Sequence, residues 1–341
     1  MKQLTLDVTG HIDWREAPEP RLEGDGEAIV RPLAVARCDI DLPFAAGLLP
    51  PPRAFALGHE CVGEVVALGG AVRSFHLGQR VIVPFQISCG ACGRCRRGHT
   101  GSCEGVPFLS SYGLPHSERE WGGALSDAIR VPFAEAMLVP APGSVPAWAL
   151  AAVADNASDG WRCVAPHVRP GARVLVLAGL AASIALYAAD AALALGAARV
   201  DVVSENADVL RVAATLGLTP VEAPVGSARG RYEVCVDCTG DPAGLVAALR
   251  ATDKEGVCVS PVYYPAEGTA VPMGRMYTKG ITLHTGRCHA RAVLPEVVAA
   301  IAAGRLHPDR IVPRRVPWQN AAAAMAEPAV KLVIERDGGN T

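Results

Sequence analysis

The sequence has no surplus of either charge. Its 32 lysines and arginines stand against 34 aspartates and glutamates, a net charge of −2, so the basic excess needed to neutralise nucleic-acid phosphates is missing. Nucleic acid is not an expected partner. Charged residues are also few, 19% of the chain against 50% hydrophobic, and so apolar a composition excludes global disorder. The first ten residues, Met1–Gly10, lack the apolar run of a secretion signal. They carry Asp7 and alternate like a strand, and a cytoplasmic protein is the expectation. Residues 174–198 are long and apolar enough to imitate a membrane span, with Asp190 their only charge. Gly179 divides them, however, into a β-rich piece at 174–177 and an alanine-rich run ending at Gly196. That pattern reads as a buried strand, a turn and a helix, with no membrane contact. No internal repeat is present, and low complexity is confined to the Gly338–Thr341 end and the Ala321–Ala324 run, the latter read as helix. A length of 341 residues predicts two domains at about 150 residues each.

Even pairing is missing among the cysteines too. There are 11, an odd number in a chain without a secretion signal, which disfavours a disulfide framework. Cys89, Cys92, Cys95 and Cys103 crowd into one glycine-rich loop with C-x2-C-x2-C-x7-C spacing. Four thiolates make a closed tetrahedral site, and Zn²⁺ prefers four sulfurs without redox chemistry. The loop has no hydrophobic periodicity and would depend on the metal for its shape. Free thiols or an iron–sulfur cluster are the other readings of the same ligand type. His99 lies within the loop but reads as a surface residue, since four sulfurs already complete the site. Cys235 and Cys238 form a second C-x-x-C, inside an alternating strand that points them to opposite faces. They read as buried bystanders, as do Cys61, Cys163, Cys258 and Cys288.

Upstream of the loop stand Cys38, in Ala36-Arg-Cys-Asp-Ile-Asp41, and Gly58-His59-Glu60-Cys-Val-Gly63. Their order, the four-cysteine loop at 85–105, Gly78-Gln-Arg-Val-Ile-Val-Pro84, Gly122-Gly123-Ala124 and Pro170-Gly-Ala-Arg-Val-Leu-Val176 together resemble the zinc-containing medium-chain alcohol dehydrogenases over nearly the whole chain. The resemblance implies an α/β protein. A GroES-like β-rich catalytic domain would span 1–147 and 287–341, and a Rossmann doubly wound domain 148–286, with ligands in the cleft between them. It further implies Cys38 and His59 as ligands of a catalytic zinc. Asp155, in Ala154-Asp-Asn-Ala-Ser-Asp-Gly-Trp161, would be the third ligand, with Asp159 as competitor. Such a set leaves one position open for water or a substrate oxygen. Glu60 corresponds to a movable fourth ligand, and Asp41 to the carboxylate that orients the ligating histidine.

The nucleotide fingerprint of that family is largely absent. Its three glycine positions hold Ala178, Leu180 and Ser183, with only Gly179 between them, so a leucine side chain stands where the pyrophosphate should approach bare backbone. The amides of Ala181 and Ala182 at a helix start remain as phosphate donors. Where the second strand should end in an acid for the ribose hydroxyls it has Ser204, followed by Glu205. No Lys or Arg follows until Arg211, so neither NAD nor NADP is singled out. Asp159 replaces a threonine near the nicotinamide, Ile40 replaces the hydroxyl residue that relays the alcohol proton, and Arg291 matches the position that reaches the pyrophosphate.

The resemblance therefore implies an oxidoreductase with two zinc ions per chain. It would transfer hydride between a small alcohol or carbonyl substrate and NAD(P), as a homodimer or homotetramer. Two other readings stay open. One is a redox-neutral zinc Lewis-acid enzyme (lyase, hydratase or isomerase) with weakened or lost dinucleotide binding. The other is a non-catalytic relative that only binds a ligand or partner.

Overall fold

A computed structural model describes residues 1–336 of the chain; the Gly338–Thr341 end lies outside the described residues. The chain divides into two compact units, Met1–Ser158 with His289–Ala302 and Val312 onward, and Asp159–Cys288 with Ala303–Ile311.

The first unit is built on a mixed seven-stranded sheet. Its central strand, Ala28–Arg37, is buried along almost its whole length and pairs antiparallel with Glu60–Leu68 on one side and Leu332–Glu335 on the other. Branched and small apolar side chains on these strands, such as Val30, Val35, Val65 and Ile334, form its core with Phe44, Phe55 and Tyr112. A separate three-stranded sheet joins Lys2–Leu6 to Ile12–Glu16 and to Phe55–Ala56.

The second unit carries a six-stranded parallel sheet. Its spatial order is Thr219–Glu222, Arg199–Ser204, Arg173–Ala178, Tyr232–Cys238, Thr252–Ser260, Thr282–Thr285. Counted along the unit this is 3-2-1-4-5-6, the doubly wound order whose reversal point lies between strands one and four. The strand Arg173–Ala178 is apolar after its first residue because both of its faces are covered. The apolar run 174–198 resolves into that strand and the helix Ala182–Ala194. No helix among the described residues is long and apolar enough to cross a membrane.

Two boundaries differ from those expected at 147/148 and 286/287. The short helix Ala147–Leu150 and the turn Ala151–Ala154 are buried against strands Ala28–Arg37 and Glu60–Leu68, so the first unit runs on to Ser158. Residues 303–311 join the second unit, where the amide of His307 donates to Asp190 Oδ2 at 3.4 Å. The Ala321–Ala324 run is the start of the helix Ala321–Met325.

Candidate functional site

Sheet register assembles the first site. Ala36 stands opposite Glu60, and Leu332 opposite Arg37. One residue further along each pairing, His59 lies beside the end of the central strand and Lys331 beside Cys38. Gly58 makes the approach possible. Its φ of +90° is one that glycine adopts freely, and a Cβ there would stand 2.7 Å from the Leu125 amide nitrogen. Asp155 enters from the turn Ala151–Ala154, whose four residues are all buried.

Ligand atoms of Cys38, His59 and Asp155 all lie within 4.8 Å of one another, and all three residues are buried. Cys38 Sγ is 3.4 Å and His59 Nε2 3.5 Å from Asp155 Oδ2. Bonds of zinc to sulfur, nitrogen and oxygen at tetrahedral angles set these separations at about 3.6 Å and 3.4 Å, so the donor set fits a zinc ion. Electrostatics agree. Burial, then Asp155 and Glu60, push the Cys38 thiol well up. Burial acts to lower His59, but Asp41, Asp155 and Glu60 raise it to about 9. Such a crowd of anionic donors is relieved by a cation. Asp41, fully buried, accepts from the Cys38 amide at 2.9 Å through Oδ2, and its Oδ1 lies 3.7 Å from His59 Nδ1. That is longer than a hydrogen bond, and both atoms are without one.

Glu60, expected as a movable ligand, stands outside the three-residue group. Its Oε2 is 2.5 Å from the ammonium of Lys331, both side chains being fully buried, and its Oε1 accepts from the Asn156 amide at 3.0 Å. Asp159 stands outside it as well, paired with Arg162 at 2.6 Å. Ile40 is partly buried against the core just before the helix Asp41–Ala45. Trp121 stacks under Arg119 at 4.2 Å and lines a cavity of about 170 Å³ with Met1, Gln3 and Arg130.

The four loop cysteines form the second group, their sulfurs mutually within 4.8 Å. Cys89 and Cys103 are 3.4 Å apart and Cys92 and Cys103 3.9 Å, against about 3.8 Å for a zinc tetrahedron with ~2.3 Å bonds. Backbone amides are aimed at the sulfurs. Cys95 and Glu104 donate to Cys92 and hold its thiol down to about 6; Cys89 and Gly105 donate to Cys103. His99 is outside the group and contacts His289, ring nitrogen to ring nitrogen at 3.4 Å.

The turn after strand Arg173–Ala178 is closed. The amides of Gly179 and Ala181 donate to the carbonyl of Cys238 and that of Leu180 to Thr239, at 3.0–3.3 Å. Gly179 sits so tightly that a Cβ would come within 2.8 Å of Thr239 Cα. Glycine here serves packing against the neighbouring strand end, and the Ala181 amide expected to bind phosphate is spent. Leu180 is 51% exposed beyond the turn. Ala182 is the first residue of the 13-residue helix. Ser204 is buried and donates to the Ala178 carbonyl at 2.9 Å, while Glu205 is exposed. Arg291 has a buried Nε without a hydrogen-bond partner, and burial lowers its pKa.

Sequence reasoning did not reach three residues. Lys331 had a signal, a lone lysine inside the apolar strand-like run 329–334. Asn156 had none, because its partners are set by tertiary contacts, whereas Arg162 meets Asp159 three residues earlier on the same helix.

Fold and sites together define a two-domain α/β protein with a four-cysteine loop and a buried Cys, His, Asp group that could hold a metal ion. The model of the alcohol dehydrogenase GroES-like domain matches residues 24–143. A Mycobacterium tuberculosis protein described as a "probable zinc-binding alcohol dehydrogenase" is 29% identical, over 96% of this chain and 85% of that one. Glutathione-independent formaldehyde dehydrogenase of Pseudomonas aeruginosa is 30% identical over 70% of this chain and 64% of its own. The solved structure of alcohol dehydrogenase TADH from Thermus sp. ATN1 superposes with a TM-score of 0.88, at 27% identity, covering 98% of this chain and 100% of that one. The chain belongs to the zinc-containing medium-chain alcohol dehydrogenase/reductase family, with a GroES-like and a Rossmann domain.

Proposed function

We propose that this protein is a zinc-dependent oxidoreductase that moves a hydride between a small alcohol or carbonyl substrate and NAD(P). The observation that carries the reading is the gathering of Cys38, His59 and Asp155 ligand atoms within 4.8 Å of one another, two of the separations matching those around zinc. These three residues would hold the catalytic zinc, and Cys89, Cys92, Cys95 and Cys103 a second, structural one. Bound at an open site, zinc supplies Lewis-acid polarisation of an alcohol or carbonyl oxygen. A nicotinamide dinucleotide supplies the hydride donor or acceptor.

The chain's own residues prepare that chemistry. Asp41 holds the Cys38 amide and faces the Nδ1 side of His59, which leaves Nε2 to the metal. Lys331 holds Glu60 in an ion pair outside the ligand set. Ile40 brings no hydroxyl, so no side-chain proton relay begins at that position. Within the second unit, the donor left for a pyrophosphate is the helix start at Ala182. The amides at 179–181 are spent, and dinucleotide affinity should be weaker than an open glycine turn gives. The family resemblance also carries a homodimer or homotetramer.

The test is calorimetric titration of zinc-loaded protein with NADH and NADPH, followed by turnover of an aldehyde and alcohol panel at 340 nm. Saturable binding of either cofactor and turnover lost in Cys38→Ser is the expected result. No binding of either, with two zinc ions per chain by metal analysis, would overturn the reading.

A further inference from the structure

Asn156 joins Glu60, Lys331 and Cys38 at the first site. Its backbone amide donates to Glu60 Oε1 at 3.0 Å, its Oδ1 receives the Lys331 ammonium, and its Nδ2 lies 3.3 Å from Cys38 Sγ. Asn156 and Lys331 are both buried. The amide can face only one way. An ammonium has donors and no acceptor, so the amide oxygen must meet Lys331, and the NH₂ group is thereby turned onto the sulfur. Lys331 itself is fixed by its ion pair with Glu60. The sulfur thus accepts a hydrogen bond whose direction is set by a buried lysine just before the strand Leu332–Glu335.

We infer that Asn156 is a positioning residue of the metal centre: its side-chain N–H, aimed by Lys331, fixes the Cys38 sulfur and withdraws charge from it. The inference rests on the reading of Cys38 as a zinc ligand. Hydrogen bonding around a ligating sulfur lowers the energy of its lone pairs and weakens its donation to the metal. Without the N–H the thiolate donates more strongly but is held less firmly. Residues that fix a ligand in this way typically contribute about 10–100-fold to metal affinity.

Cobalt(II) substitution reads the sulfur directly, through its thiolate-to-metal charge-transfer band. The contribution of Cys38 is isolated by subtracting the spectrum of Cys38→Ser, which leaves the four-cysteine loop unchanged. Two variants are compared. Asn156→Leu removes both side-chain contacts at similar volume, whereas Asn156→Asp keeps an oxygen for Lys331 and replaces the N–H donor by a carboxylate oxygen, whose charge raises the sulfur lone pairs in the same direction. The expected result is a shift of the Cys38 band to longer wavelength in both variants. A fall of roughly 10–100-fold in zinc affinity should accompany it in Asn156→Leu, measured by chelator competition. Should Asn156→Leu fail to fold, the Asn156→Asp band alone decides. A Cys38 band present and unmoved in Asn156→Asp overturns the inference and leaves the zinc reading intact. Absence of any Cys38 band in the parent protein overturns the zinc reading, and the inference with it.

Discussion

Substituting Lys331 by methionine tests the buried network from its charged end. The lysine and Glu60 are both fully buried and 2.5 Å apart. Removing one partner of such a pair leaves the other as an uncompensated charge, at a cost of about 3–5 kcal/mol. The first unit has about 200 residues, a size at which each kcal/mol moves the melting temperature by ~2–4 °C. The expected fall for Lys331→Met is therefore about 6–20 °C by scanning calorimetry of the zinc-loaded protein, with metal content measured on the same samples. The double variant Lys331→Met, Glu60→Gln discriminates the cause. It removes both charges, and the glutamine oxygen can still accept from the Asn156 amide that Glu60 now receives. It should melt above Lys331→Met, because the stranded carboxylate is gone. Lys331→Met melting within about 2 °C of the parent, or a double variant melting below the single one, would refute the reasoning.

Removing metal should unmake the loop at 89–105, since its amides donate to sulfur rather than to a core. Cys95→Ser is expected to lose one zinc per chain by atomic emission and to raise amide exchange across the loop; unchanged metal content would refute this. Replacing Leu180 by glycine removes the 51%-exposed side chain beside the closed turn. It should tighten NADH binding severalfold by calorimetry, and equal affinity in parent and variant would show that the leucine does not face the cofactor. Asp7 accepts from the side chain and amide of Thr9, from the amide of His11 and from Arg15. The Thr9 side chain foremost holds its carboxyl down to about 2. A depressed folded value means that this carboxylate's contribution is complete above the ordinary value of 3.8 and is lost as pH falls through about 2. Carboxyl carbon shifts in NMR should titrate near 2 and move upward in Thr9→Ala.

What could be read from the sequence and what could not divide along a physical line. The four-cysteine loop was legible because its ligands lie within fifteen residues of one another, so spacing alone specifies the geometry. The strand, turn and helix at 174–198 were legible because burial on both faces leaves an apolar run that a single glycine divides. Cys38, His59 and Asp155 needed the family resemblance, since the register between the strands Ala28–Arg37 and Glu60–Leu68 brings the first two together, a separate turn delivers the third, and register leaves no mark at any one position. Lys331 and Asn156 lay further out of reach. A lysine in an apolar strand announces that it has a partner but does not say which, and an asparagine beside a candidate ligand announces nothing. The nucleotide turn reverses the usual order of inference. Missing glycines suggested an altered phosphate site, and the structure draws attention to the one glycine that remains. Gly179 lets the turn close onto the carbonyls of Cys238 and Thr239, and a backbone amide already donating to protein is withdrawn from a ligand as surely as one covered by a side chain. Restoring glycine at Leu180 alone would uncover the turn without freeing its amides. On the proposed function, full dinucleotide affinity is therefore expected only when the contacts with the end of strand Tyr232–Cys238 are broken as well.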